Sequence, residues 1–106
     1  MMQMTVNVPK ALAALSPAER EELIREGLYE AVQTRIRQVK AEIAESEEHV
    51  RRFEEKYGVS LEQFEKNLGD SETYQAHDDY NDWFYWCEVL DRNRQLLNEL
   101  QEAQDY

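Results

Sequence analysis

One cysteine, two prolines and three glycines are all that the 106 residues hold of these types. A lone Cys87 excludes an intramolecular disulfide and a cysteine-based zinc site, and it fits a reducing cytoplasm. The scarcity of proline and glycine, beside abundant Glu, Gln, Ala, Leu and Arg, disfavours a β sandwich and favours long helices. No window approaches the apolar run a membrane span requires. Met1 to Val8 lacks a basic stretch followed by an apolar one, so it does not read as a signal peptide. A phosphate-cradling loop is missing too, because Gly27, Gly58 and Gly69 stand alone as helix punctuation. No catalytic triad can be assembled, and we expect neither an enzyme nor a cofactor. Cys87 lies among aromatics, where a cysteine is usually a small buried hydrophobe.

What the chain does have is acid. Its net charge is −11. Residues 1–40 carry six basic and five acidic side chains, so residues 41–106 hold a surplus of twelve negative charges. Such a half repels nucleic acid and anionic lipid and attracts basic proteins. The plain alternative is a solvated acidic surface. A hydrophobic fraction of 42% suffices for a core.

Met2, Met4, Val6 and Val8 alternate with Gln3, Thr5 and Asn7, a period of two that reads as a short strand ended by Pro9. A lone strand needs a partner. The simplest one is the same strand of a second copy across a two-fold axis, giving a homodimer; the alternative is a frayed tail. In such a ribbon Gln3, Thr5 and Asn7 would face outward toward base edges, with Lys10 near phosphate. Few basic residues accompany them, and phosphate contacts supply most of such affinity.

Ser16-Pro17-Ala18-Glu19 opens a long helix over 16–57: Ser16 caps, Pro17 suits the first position and Glu19 completes a capping box. Gly27 either breaks this helix or permits close packing within it. Val32, Ile36, Val39, Ile43, Ser46, Val50, Phe53 and Tyr57 then form a heptad seam with one polar position. Glu47 with Arg51 and Glu48 with Arg52 are i,i+4 pairs on the exposed side. Ser60-Leu61-Glu62-Gln63 opens a short helix over 60–68, and a last helix spans 76–103. There Trp83, Trp86, Leu90, Asn93, Leu97 and Leu100 make a second seam. The fold expected is mainly α and a single domain: a long antiparallel helical hairpin with a short connecting helix and an N-terminal β-strand that pairs in a dimer. Outward counting from the connection sets Trp83 and Trp86 near Val50 and Phe53, and brings Ser46 and Asn93 into neighbouring layers.

Six of the eleven aromatics fall within thirteen residues: Tyr74, Tyr80, Trp83, Phe84, Tyr85 and Trp86. Consecutive positions on a helix differ by about 100°, so the run from Trp83 to Trp86 points in four directions. Trp83 and Trp86 belong to the seam. Phe84 and Tyr85 point away from it, Tyr80 lies nearer Phe84, and Leu96 lies nearer Tyr85. The candidate partner-binding set is therefore Tyr80, Phe84 and Tyr85 with Asp78, Asp79 and Asp82. His77 beside Asp78 and Asp79 is the one arrangement that suggests a metal, but acidic residues in a first turn also stabilise a helix without one. No metal ligand is assigned.

Two stretches resemble a known family. Met4-Thr5-Val6-Asn7-Val8-Pro9, Leu12-Ala13-Ala14-Leu15-Ser16-Pro17-Ala18-Glu19 and Leu23-Ile24-Arg25-Glu26-Gly27-Leu28 resemble the opening of small prokaryotic type II antitoxins. Glu55-Lys56-Tyr57-Gly58-Val59-Ser60 and His77-Asp78-Asp79-Tyr80-Asn81-Asp82-Trp83-Phe84-Tyr85-Trp86 are similar to other small antitoxin-like prokaryotic proteins. The resemblance implies a dimer whose N-terminal part organises self-association or operator binding. It implies an acidic C-terminal part that wraps a basic ribonuclease toxin in a toxin-antitoxin system. The chain departs from ribbon-helix-helix repressors in one respect: Ser16-Pro17 leaves Lys10 to Leu15 too short for their first helix.

Overall fold

The computed structural model describes Thr5, Asn7, residues 9–68 and residues 73–104. After a 3-10 turn at Lys10–Ala14, three helices follow: α1 at Pro17–Tyr57, α2 at Leu61–Leu68 and α3 at Tyr74–Gln104. Their ends are set by local chemistry. The Glu19 amide donates to Ser16 Oγ at 3.2 Å, and Pro17 occupies the first turn of α1. Gly58, at φ 69°, takes the left-handed conformation that ends α1, and its amide donates to the Glu54 carbonyl at 2.7 Å. The Gln63 amide donates to Ser60 Oγ, and the Ala76 amide to Thr73 Oγ1. Thr73 therefore caps α3, which begins at Tyr74, two residues before the expected start at 76. Gly27 does not break α1, whose 41 residues are continuous.

The expected N-terminal strand is a correction. No strand occurs among the described residues, which are helical apart from turns and connections. Met2, Gln3, Met4, Val6 and Val8 lie outside them; Thr5 and Asn7 are exposed and belong to no ladder. Alternation over seven residues is too weak a signal by itself, because strand order is stable only in a ladder. The mainly α architecture stands, and the pairing of N-terminal strands into a dimer falls.

α1 and α3 form an antiparallel hairpin. Ascending α3 meets descending α1: Asp79 bonds Lys56 and Tyr57, Trp83 stacks on Phe53, Trp86 on His49, and Leu90 packs with Ile43 and Val39. Leu96, Leu97 and Leu100 continue that layer. At the closed end α2 lies across the hairpin, and Phe64, Ala76 and Trp83 form a second core cluster with Val50, Phe53, Tyr57 and Leu61. Trp83 is wholly buried, with Phe64, Phe53 and Tyr57 ring centroids at 5.4, 5.7 and 6.1 Å. Ser46 is also wholly buried, but its hydroxyl donates to the Glu42 carbonyl of its own helix at 2.9 Å. It is satisfied without Asn93, by the back-bond common for a helical serine. On the exposed side Arg52 pairs with Glu48 at 3.3 Å, whereas Arg51 pairs with Glu48 and Glu55 in place of Glu47.

The molecule measures 69 × 23 × 22 Å, and its radius of gyration is 21.7 Å. A compact domain of this length would have one of about 13 Å. Most of the excess is α1, which is ten residues longer than the 31-residue α3. None of residues 17–31 is buried, and the first buried residue of α1 is Ile36. Among the described residues, no helix is long and apolar enough to cross a membrane.

Candidate functional site

The aromatic turn of α3 divides by direction. Trp83 enters the core. Trp86 stacks flat on His49, with ring centroids 3.9 Å apart and planes 6° from parallel. Phe84 and Tyr85 remain 46% and 55% exposed. They stand about 100° apart around the helix, so they open two adjoining surfaces. On the Phe84 side, half-buried Tyr80 packs against Phe84 at 6.1 Å. Burial first, then the neighbouring Glu65 carboxylate of α2, pushes the Tyr80 hydroxyl pKa up. On the other side, Tyr85 meets the edge of Trp86 at 5.2 Å. Aromatic pairs of this kind contribute about 0.5–1.5 kcal/mol beyond their buried area. Both exposed rings are thus backed by a buried or half-buried one.

The acidic members of the set separate. Asp78 and Asp82 are exposed. Asp79 turns inward: it is 6% exposed and accepts hydrogen bonds from Lys56 Nζ at 2.6 Å, Gln75 Nε2 at 2.9 Å and the Tyr57 hydroxyl. Burial pushes its carboxyl upward, but the bonds from Lys56, Tyr57 and Gln75 outweigh this and hold it below the ordinary carboxylate range. Lys56 is raised in return, first by its bond to Asp79. Asp79 therefore ties α3 to the end of α1 and does not face outward beside Phe84 and Tyr85. The tie between Lys56 and Asp79 spans 23 residues, and no sequence periodicity points to it.

The remaining candidates offer little convergent chemistry. Among the described residues no group of three or more His, Cys, Asp or Glu side chains could hold a metal ion, and His77 is exposed. Cys87 is half-buried, and burial, followed by the charges of Asp91, Glu54 and Glu88, raises its thiol pKa. A thiol so placed stays protonated at neutral pH and is a poor nucleophile. Of the N-terminal set, Gln3 lies outside the described residues, Thr5 and Asn7 are exposed, and Lys10 opens the 3-10 turn. What the structure does bring together is a pair of exposed rings in an acidic setting, since Asp78, Asp82, Glu88 and Asp91 around them are all exposed. No family model, curated protein or solved structure matches the chain.

Proposed function

We propose that the chain is a non-catalytic interaction protein of the type II antitoxin kind, whose acidic half docks a basic protein partner through α3. The observation that carries this reading is the exposure of Phe84 and Tyr85 on a helix whose exposed positions nearby include Asp78, Asp82 and Glu88. Large rings supply most of the affinity at protein interfaces, while surrounding charges speed encounter and select partners of opposite sign. Asp78 and Asp82 serve that second role, and Tyr80 supports Phe84 from behind. The lone thiol of Cys87 fits a reducing cytoplasm as the place of action. The test is co-expression with the small open reading frame adjacent to its gene. The expected result is a salt-sensitive complex, relief of growth arrest, and loss of both in Phe84→Ser and Tyr85→Ser. No complex and no relief would sink the proposal.

A second reading is a homodimeric helical scaffold without a toxin or nucleic-acid partner. It is favoured by the long unpaired start of α1, where Leu23, Leu28 and Tyr29 remain exposed. Operator binding through Gln3, Thr5, Asn7 and Lys10 ranks below both. Salt-sensitive retardation of the protein's own promoter DNA in a gel shift would raise it.

A further inference from the structure

The first four turns of α1 carry an apolar face that none of the described residues buries. Leu28 is 55% exposed, Ala31 is exposed and Ile24 is only half-buried. These residues are not a continuation of the intramolecular seam. That seam reads 32, 36, 39, 43; the free one reads Glu21, Ile24, Leu28, Ala31, Arg35, the same spacing of three and four displaced by one residue. A displacement of one residue turns the face by about 100°. α1 thus has two seams, one filled by α3 and one empty.

The empty seam is self-complementary. Its centre is apolar, and its ends carry opposite charges at equal distance, Glu21 seven residues before Leu28 and Arg35 seven after. The flanking stretches repeat the pattern: residues 17–30 hold five acidic and two basic side chains, and residues 31–41 hold three basic and no acidic ones. A parallel pair would set acid against acid. An antiparallel pair centred on Leu28 sets each Glu21 opposite the other copy's Arg35. Their present partners are weak holds. Glu21 bonds Arg25 at 2.9 Å with both side chains more than 70% exposed, and Arg35 donates to Gln38 at 3.3 Å and reaches Glu42 at only 3.9 Å, both on the exposed side.

We propose that a second copy of the chain fills this seam, the two α1 helices crossing antiparallel at Leu28 with Glu21 and Arg35 paired at both ends. The interface is isologous and closes on itself, so it stops at a dimer. It needs no basic partner, and it stands whichever of the two functional readings holds.

The test is sedimentation equilibrium of the full chain with circular dichroism as the check on folding. The wild type should sediment as a dimer. Glu21→Arg alone and Arg35→Glu alone each set like charges across the axis, and each should weaken dimerisation by more than about tenfold. The double reversal, Glu21→Arg with Arg35→Glu, should restore it, because the pairing is only exchanged. In a Cys87→Ser background, Leu28→Cys should cross-link to its own copy under mild oxidation. A wild type that stays monomeric at about millimolar concentration, or a double reversal no tighter than the single ones, would overturn the proposal. Rescue excludes a general effect of either residue on the fold.

Discussion

Lys56 Nζ lies 2.6 Å from the Asp79 carboxylate and joins the last turn of α1 to the start of α3, just where α2 begins to cross the hairpin. Tyr57 and Gln75 complete the set around the same carboxylate. A hairpin held only by an apolar seam can slide by a turn, since each turn presents a similar surface. A carboxylate with three specific donors cannot follow such a slide without losing them. The contact therefore fixes register.

Removing the carboxylate should show this directly. Asp79→Ala leaves the Tyr57 hydroxyl and the Lys56 ammonium without their acceptor, and should cost about 1–3 kcal/mol in urea unfolding at neutral pH. The sign with pH follows from the lowered pKa. The contribution is complete above the ordinary carboxylate range, about pH 4, and is lost as pH falls through the lower folded value. Wild type and Asp79→Asn should differ most near neutrality and converge in acid. A gap that holds constant between pH 7 and pH 2 would refute the assignment.

Trp83 makes a contrasting prediction, because its place is decided by volume. It is wholly buried between α1 and α2, and its indole N–H finds no hydrogen-bond partner among the described residues. Trp83→Ala should cost about 3–5 kcal/mol, a large part of the stability of so small a domain. Trp83→Phe keeps most of the ring contact and removes the unsatisfied donor, so it should cost well under half as much. Thermal unfolding of the two variants separates these outcomes.

Much of the hairpin was legible because both seams repeat. Phe53 stacks on Trp83, where outward counting from the connection sets it. Alternation over residues 2–8 misleads because it is a local signal, and strand order is decided by a partner elsewhere. Asp79 was grouped with Asp78 and Asp82 for a related reason. Sequence shows three carboxylates on one stretch, but only the packed hairpin shows that one of them faces Lys56. Ser46 looked like a register device to be matched by Asn93, yet a serine can satisfy its own hydroxyl within one turn. The cap at Thr73 leaves no mark in the sequence pattern, because it stands at the end of a stretch without periodicity.

Gly27 gives a local test of α1. The helix passes through it unbroken, and among the described residues nothing beyond its chain neighbours and the adjoining helical backbone lies within 4 Å of where a Cβ would stand. Its backbone is helical, so alanine adds no strain and removes the entropic cost of glycine. Gly27→Ala should raise stability by about 0.5–1 kcal/mol, read as a shift of the urea midpoint without a change in slope. A loss of stability would mean that the missing side chain makes room for something this chain alone does not show.

Cys87 offers a chemical probe of the same packing. Burial and three neighbouring carboxylates raise its thiol pKa, so the reactive thiolate is scarce at pH 7.5. Alkylation by iodoacetamide should be slower than for a free cysteine and should speed up in urea as the hairpin opens. Neutralising Asp91 with Asp91→Asn removes one of the charges and should accelerate the folded-state reaction modestly. If Asp91→Asn leaves the rate unchanged while urea raises it, access alone controls the thiol and the carboxylates do not.

The exposed rings should behave in the opposite way to Trp83. Phe84 and Tyr85 leave about half of their surface exposed, and each lies beside a half-buried ring, Tyr80 and Trp86 respectively. Phe84→Ser and Tyr85→Ser should therefore change stability by no more than about 0.5 kcal/mol, while abolishing capture of the basic partner proposed above. Asp78→Asn with Asp82→Asn should instead slow association and flatten its salt dependence, leaving dissociation nearly unchanged, because rim charges act mainly on encounter. Stopped-flow or surface-plasmon kinetics at two ionic strengths separates the two effects. If the Ser variants destabilise the fold as much as Trp83→Phe does, the rings are structural and α3 offers no docking surface there.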